Sequence, residues 1–194
     1  MDESNFKLIF VFLLIGINLI RFYYHYKSKT QEKLHHKKFK EVSSVILFYI
    51  MFAIPSILYL TTNYLDFFNL DFYLFIRYFG IVLVIISALI FIWTHQTLGK
   101  NFSSILTIKK DHKLIIEGPY KYVRHPMYTS IFLMILGFFF LTSNILVGIL
   151  PFLSFCYLYF SRVKNEEKML TEIFKKDYIK YSSITGRLIP KLWN

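Results

Sequence analysis

The sequence predicts an all-α, polytopic integral membrane protein with about five transmembrane helices. Apolar residues make up 55% of the 194 residues, and phenylalanine alone occurs 22 times, which exceeds the content of an ordinary soluble domain. The apolar residues form long runs separated by polar segments, and such runs are typical of membrane-spanning helices. The formal net charge of +11 is confined to some of the polar segments, which indicates an ordered topology.

Three apolar runs occupy the N-terminal half of the chain. We expect spans over residues 6–20, 43–62 and 72–93. The first run is slightly short of the roughly 20 residues that cross a bilayer, although aromatic residues after it can extend it. Arg77 lies near the start of the third run, where its long side chain is expected to reach the membrane interface.

The C-terminal half begins with a long polar loop, residues 94–127, and continues with apolar runs over 128–141 and 145–160. The short polar turn between the two runs predicts a helical hairpin. Both arms are marginally long for a span, so two full spans and a tilted or re-entrant pair both stay open. After residue 160 apolar residues recur at helical spacing, which predicts a separate C-terminal amphipathic helix that ends at Gly186.

The distribution of basic residues predicts the orientation in the membrane. Lysine and arginine concentrate in 23–42, 95–127 and 162–194, whereas 63–71 and 142–144 contain neither. Five spans place these two sets on opposite sides, and the positive-inside rule makes the long loop and the tail cytoplasmic. The basic excess is therefore expected to meet anionic membrane lipid, and no nucleic-acid partner is indicated.

The segment 112–128 carries more features than a connection between helices needs. It has a turn signal at residues 118–119 and a second break at Pro126. Between these breaks Arg124 and His125 are adjacent, and three tyrosines flank them. Taken singly, each feature also fits an interfacial anchor or an aromatic belt, so only their combination indicates a binding site.

This combination resembles the isoprenylcysteine carboxyl methyltransferase family, and phospholipid methyltransferases share a looser form of it. The resemblance covers about residues 98–190. Its pattern is Gly118-Pro119-Tyr120, then Arg124-His125-Pro126-x-Tyr128, the apolar hairpin, and Arg162-x-x-x-Glu166-Glu167. The chain lacks the glycine-rich motifs of Rossmann and P-loop nucleotide-binding folds, and the family holds its cofactor without them.

The resemblance implies a membrane-bound O-methyltransferase that uses S-adenosyl-L-methionine. Its expected acceptor is the α-carboxylate of an isoprenylated cysteine or a similar lipophilic molecule. We treat 1–194 as one domain, in which 1–93 supply three spans and 94–194 form the catalytic part on the cytoplasmic side. Two alternatives stay open, a phospholipid (amine) N-methyltransferase and a non-catalytic membrane subunit. The oligomeric state is not indicated by the sequence.

The resemblance also implies the site residues, and the chemistry of the side chains suggests their roles. Arg162 presents a planar fork that suits an acceptor carboxylate, and Glu166, at i+4 on the same helix face, could pair with the cofactor's ammonium. We expect these two residues to be catalytic, whereas Glu167 points about 140° away from Arg162 and suits a structural role better. No metal-ligand spacing is present. A prenyl tail is expected in lipid or in a slot between the third span and the hairpin. The expected cofactor-binding residues are His112, Lys113, Leu114, Ile115, Tyr120, His125, Pro126, Met127, Tyr128, Glu166 and Glu167.

Overall fold

A computed structural model of the chain describes residues 2–29, 39–99 and 114–191, and within these ranges it is helical without a β-sheet. The two backbone bridges in this part of the chain are isolated. The prediction of an all-α fold is therefore confirmed. The helices are α1 (Glu3–Lys29), α2 (Phe39–Thr61), α3 (Leu74–Leu98), α4 (Pro126–Thr142) and α5 (Ile145–Ile184).

Four of these helices, α1, α2, α3 and α5, are long and apolar enough to cross a membrane. The fourth helix in chain order, α4, is apolar but has only 17 residues, which corresponds to about 25 Å of helix. This length falls short of the roughly 30 Å of hydrocarbon in a bilayer. The described residues therefore contain four candidate spans and one shorter apolar helix, whereas the sequence predicts about five spans.

The first and last helices are longer than the sequence predicts. Helix α1 continues to Lys29, nine residues beyond the expected end at Ile20. Helix α5 joins the expected span 145–160 and the expected separate amphipathic helix into one element of 40 residues. The change from apolar to polar composition does not end either helix, because no proline or glycine follows at these points to interrupt the backbone hydrogen bonds.

One residue interrupts the helical geometry of α5. Lys175 has φ 46° and ψ −117°, a backbone conformation that favours glycine. The chain therefore turns at this residue, and the helix segment after it packs in a new direction before it ends at Ile184. The predicted stop before Gly186 is confirmed, whereas the turn at Lys175 has no signal in the sequence.

The tip of the α4–α5 hairpin is fixed to the loop that precedes α3. Asn144 is fully buried, and its side-chain oxygen caps α5 by accepting hydrogen bonds from the backbone N–H groups of Leu146 and Val147 at 3.1 and 3.3 Å. Its amide nitrogen donates to the carbonyl of Leu65 at 2.9 Å and to the side chain of Asn69 at 2.7 Å. These bonds set the register of both hairpin helices at one end of the molecule.

Helices α3 and α4 are in direct backbone contact at two glycines. A Cβ atom at Gly137 would lie 2.8 Å from the carbonyl oxygen of Gly80 and 2.9 Å from the backbone nitrogen of Val84. Small residues of this kind let membrane helices approach closely. The expected slot for a prenyl tail between the third span and the hairpin is therefore closed at this crossing, and that prediction is wrong there.

Arg77 is buried against other helices of the protein, and its expected position near the membrane interface stays a prediction. Its guanidinium donates to the carbonyl of Leu141 at 2.9 Å and to the carboxylate of Glu3 at 2.7 and 3.1 Å. Tyr59 donates to the same carboxylate at 2.6 Å. An arginine in an apolar helix is favourable when it is paired in this way. The pairing has no signal in the sequence, because Glu3 lies far from Arg77 along the chain. This cluster joins α1 to α2, α3 and α4.

Candidate active site

The polar loop reaches α4 through the two breaks that the sequence predicts. Gly118 has φ 57° and starts a 3₁₀ turn over Gly118–Lys121. A side chain at this glycine would overlap Thr97 near the end of α3, so both the backbone conformation and the close approach require glycine. Pro126 occupies the first turn of α4, where its missing N–H group is not needed.

The C-terminal tail is hydrogen-bonded to this loop. The backbone N–H groups of Arg124 and His125 donate to the carbonyls of Gly186 and Arg187 at 2.8 and 3.0 Å. The hydroxyl of Thr129 donates to the carbonyl of Leu188 at 2.8 Å. The expectation that the loop and the tail share one side of the protein is therefore met.

Glu166 is the centre of a polar cluster formed by the loop, α4 and α5. Tyr128 donates to its Oε1 at 2.8 Å, and Nη2 of Arg162 lies 3.6 Å from the same oxygen. Nδ1 of His125 lies 3.6 Å from the other carboxylate oxygen. The side chains of Arg162 and Glu166 are each 16% exposed. The i,i+4 pairing that the sequence predicts is present, and the hydroxyl of Tyr128 orients the carboxylate.

The adjacent carboxylate, Glu167, is held by three basic side chains. Arg187 donates to it at 2.6 and 3.1 Å, Arg124 donates at 3.1 Å, and Nε2 of His125 lies 3.3 Å away. Burial alone would raise the pKa of Glu167, but the hydrogen bonds from His125 and Arg187 and the charge of Arg124 outweigh it. They hold the pKa of this carboxyl well below its usual range. Glu167 thus joins α5 to the loop and to the tail.

A cavity of about 1080 Å³ opens beside these clusters. One part of its wall is polar and comes from the loop, α4 and α5. The other part is largely apolar and comes from α1 and α2, with residues such as Leu14, Leu19, Phe22 and Phe48. The volume lies at the upper end of the range for small-molecule sites, so the cavity has room for a polar ligand and an apolar chain together.

Most of the predicted site residues line this cavity. The predicted residues that line it are Leu114, Ile115, Tyr120, His125, Met127, Tyr128, Arg162 and Glu166. Pro126 and Glu167 are not among its lining residues, since the first starts α4 and the second faces its basic partners. His112 and Lys113 lie outside the described residues.

Two buried polar atoms on the cavity wall have no hydrogen-bond partner among the described residues. They are Nε of Arg162 and the hydroxyl oxygen of Tyr178. A buried polar group without a partner is costly, so groups of this kind indicate a ligand or an ordered water. Burial raises the pKa of Tyr178 to about 12, so its hydroxyl remains a hydrogen-bond donor at neutral pH.

Several cavity residues are missed by the sequence analysis. Tyr178 and Tyr181 are predicted only as part of an apolar helix face, yet both line the cavity, and Tyr181 donates to the carbonyl of Tyr120 at 2.7 Å. Arg21 of α1 and Tyr49 of α2 also line the cavity. No sequence motif identifies these last two residues, because they lie on spans whose composition indicates only membrane insertion.

Comparison with known proteins gives a consistent family. Residues 80–172 match the family model described as "Isoprenylcysteine carboxyl methyltransferase (ICMT) family". The chain is 36% identical over 114 residues to the protein-S-isoprenylcysteine O-methyltransferase of Saccharomyces cerevisiae. The matched region covers 57% of this chain and 47% of that protein. The chain is 29% identical over 120 residues to a probable enzyme of the same name from Oryza sativa, with coverages of 61% and 63%.

A solved structure of the eukaryotic intramembrane Ras methyltransferase ICMT shares the fold. Its TM-score is 0.54 at 23% identity, and the match covers 78% of this chain and 50% of that one. The chain thus spans about half the length of the solved structure and between about half and two thirds of the two curated relatives. With its four spanning-length helices, the chain is an integral, multi-pass membrane protein. Over residues 80–172 it is similar to the isoprenylcysteine carboxyl methyltransferase family.

Proposed function

We propose that this protein is a membrane methyltransferase that uses S-adenosyl-L-methionine. Its acceptor is the α-carboxylate of an isoprenylated cysteine or of a similar lipophilic molecule. The observation that carries the proposal is the single cavity whose polar wall contains Arg162 and Glu166 and whose apolar wall comes from α1 and α2. Such a cavity can place a polar cofactor and the head group of a lipid-like acceptor side by side.

The polar wall fits the cofactor that the family implies. Glu166 offers a carboxylate for the cofactor's ammonium, and Tyr128 fixes the orientation of that carboxylate at 2.8 Å. Leu114 and Ile115 provide aliphatic walls and backbone groups of the kind that bind an adenine. The unpartnered hydroxyl of Tyr178 offers a further donor. When bound, the cofactor supplies an electrophilic methyl group on a sulfonium.

Arg162 fits the acceptor. A free α-carboxyl group has a pKa of about 3.5, so it is already ionised at neutral pH and needs no general base. The protein must instead hold the carboxylate, align it and exclude water. The planar guanidinium of Arg162 suits this task because the residue lines the cavity and its buried Nε has no partner among the described residues. The apolar residues of α1 and α2 would receive the prenyl tail.

The charges of the site favour a carboxylate acceptor over an amine. A cationic head group at Arg162 would be repelled by its guanidinium. Glu167 is paired with basic side chains and Glu166 is assigned to the cofactor's ammonium, so neither carboxylate is left for a cationic acceptor. This argument supports carboxyl methylation over the N-methylation of a phospholipid amine.

The basic loop and tail support a cytoplasmic location for the site. A reporter domain that is active only in the cytoplasm, fused to the C-terminus, should be active. A reporter that works only on the opposite side should be silent in the same position. The reverse result would contradict the proposed orientation without affecting the proposed chemistry.

Calorimetric titration of the purified protein in detergent with S-adenosylhomocysteine tests the cofactor assignment. We expect binding that weakens in Glu166→Gln and in His125→Ala. Lys168→Ala is the matched control, because this lysine lies on the same helix but is 77% exposed. Methyl transfer to an N-acetylated S-farnesyl cysteine then tests the acceptor. The proposal fails if the wild-type protein shows no binding at millimolar concentrations of the nucleoside.

A further inference from the structure

The α1 wall of the cavity contains an arginine that no motif assigns. Arg21 lines the cavity together with Leu14, Leu19 and Phe22 of the same helix. It lies far outside residues 80–172, the part of the chain that matches the family model. Arg21 directly follows the apolar run 6–20, and an arginine on a spanning helix that lines a cavity marks a functional site by default.

The guanidinium of Arg21 is held in place by one side chain of α2. Its Nη2 donates to the hydroxyl of Tyr49, and the guanidinium carbon lies 5.0 Å from the centre of the Tyr49 ring. A hydroxyl contact and a ring contact from one tyrosine restrict both the position and the plane of the fork. Arg21 is therefore oriented before any ligand binds, which lowers the entropy lost on binding.

In the described part of the chain, Arg21 forms no ion pair with a carboxylate. The other arginines of the cavity do: Arg162 lies 3.6 Å from Glu166, and Arg124 lies 3.1 Å from Glu167. Arg21 is thus the cavity arginine whose charge the described carboxylates leave without an ion-pair partner. A charge of this kind beside apolar walls attracts an anionic group of a ligand.

Arg21 and Arg162 both line the cavity, and they lie at a similar distance from one end of the molecule. Helices α1 and α5 start at the same end of the molecule, because Arg77 bonds both Glu3 of α1 and Leu141 beside the hairpin tip. With a rise of about 1.5 Å per residue, Arg21 lies about 27 Å along α1 and Arg162 about 26 Å along α5. The polar head of one lipophilic ligand can therefore lie between the two guanidiniums.

We propose that Arg21 is a specificity-determining residue that acts with Arg162 to select an anionic head group on the lipophilic acceptor. This inference rests on the proposed function and names a residue outside the matched region as part of acceptor recognition. The acceptor, and not the cofactor, is the ligand concerned, because four of the six other α1 residues on the cavity are apolar, Asn18 and His25 being the polar ones. The side chains suited to the cofactor lie on the loop, α4 and α5.

The test compares the N-acetylated S-farnesyl cysteine with its neutral carboxamide. Competitive binding to the wild-type protein and to Arg21→Gln gives the affinity for both compounds, and titration with S-adenosylhomocysteine gives the affinity for the cofactor site. We expect Arg21→Gln to weaken binding of the acid and raise its KM by about tenfold or more, as for the loss of one charged hydrogen bond. Affinity for the carboxamide and for the nucleoside should remain unchanged.

Three further variants distinguish recognition from a structural role. Arg21→Lys keeps the charge without the fork, so it should retain part of the preference for the acid. Tyr49→Phe keeps the ring and removes the hydroxyl, and it should weaken acid binding less than Arg21→Gln. Lys27→Ala is the matched control, since this exposed lysine lies on the same helix and does not line the cavity. It should change none of these values.

Several outcomes would overturn the inference. These are an unchanged preference for the acid in Arg21→Gln, a loss of nucleoside binding in that variant, or equal losses in Arg21→Lys and Arg21→Gln. Equal binding of the acid and the carboxamide by the wild-type protein would also overturn the inference. Because competitive binding needs no turnover, a protein that binds the acid without methylating it would refute the proposed reaction and still test Arg21.

Discussion

Replacing Arg162 by alanine should impair methyl transfer much more than cofactor binding. In the structure Nη2 of Arg162 lies 3.6 Å from Glu166, which is long for a hydrogen bond, and its buried Nε has no partner among the described residues. Glu166 receives its short bond, 2.8 Å, from Tyr128. The geometry therefore makes the support that Arg162 gives to Glu166 weak and leaves its fork available to the acceptor.

The distances set the expected magnitudes. A charged hydrogen bond to a carboxylate in a site shielded from water contributes roughly 1.5–3 kcal/mol. At about 1.4 kcal/mol per factor of ten, kcat/KM for the acceptor should fall roughly tenfold to a hundredfold in Arg162→Ala. A long, partly exposed ion pair contributes only about 0–1 kcal/mol. The Kd for S-adenosylhomocysteine should therefore rise by no more than a few-fold.

Steady-state kinetics with the S-farnesyl cysteine analogue and calorimetry with the nucleoside measure these two values. Arg162→Lys should recover little activity, because an ammonium lacks the planar fork. Tyr128→Phe should have the opposite effect to Arg162→Ala. It removes the 2.8 Å hydrogen bond to Glu166, so it should weaken nucleoside binding and leave turnover at saturating cofactor unchanged. If saturating cofactor also restored turnover in Arg162→Ala, the reasoning would be refuted, because Arg162 would then act only through Glu166.

Three further predictions concern stability, each measured by thermal unfolding in detergent. A carboxyl with a lowered pKa stabilises the fold above its ordinary pKa of about 4.3 and loses this effect as the pH falls below it. Glu167→Gln should therefore destabilise the protein at neutral pH by roughly 1.5–3 kcal/mol and reduce its acid sensitivity; an unchanged acid profile would contradict the ion-pair cluster. Gly137→Ala should lower the free energy of unfolding by about 1–3 kcal/mol, because it adds a side chain at the α3–α4 crossing. Gly16 has open space around it, so Gly16→Ala should not destabilise the protein, and equal effects of the two variants would disprove the close contact. Lys175→Gly should stabilise the turn in α5 by about 1 kcal/mol, whereas Lys176→Gly in helical geometry should destabilise by a similar amount; a loss in both variants would argue against the turn.

The local structure around the site was predictable from the sequence because its causes are local. Gly118 and Pro126 impose their own backbone geometry, and the structure contains a turn and a helix start at these residues. Arg162 and Glu166 share a helix face because their spacing is one helical turn. The charge pattern placed the loop and the tail on one side, where they are hydrogen-bonded to each other.

The different environments of the adjacent residues Glu166 and Glu167 were only partly predictable from the sequence. Helix geometry separates the directions of Glu166 and Glu167, so different environments were expected. Which basic residues meet Glu167 depends on the tail, whose path follows the turn at Lys175. That turn is imposed by packing against a backbone preference, and it therefore leaves no signal in the sequence.

The sequence by itself determined which segments are helical and apolar, and it predicted most of the residues that line the polar wall. Only the tertiary structure decided how the helices face each other and that α1 and α2 complete the cavity. The physical reason is that lipid-embedded helices are apolar around most of their circumference, so hydrophobic periodicity does not mark the face that packs inward. Arg77 and Arg21 illustrate this, because their partners Glu3 and Tyr49 are distant in sequence and are brought near only by helix packing.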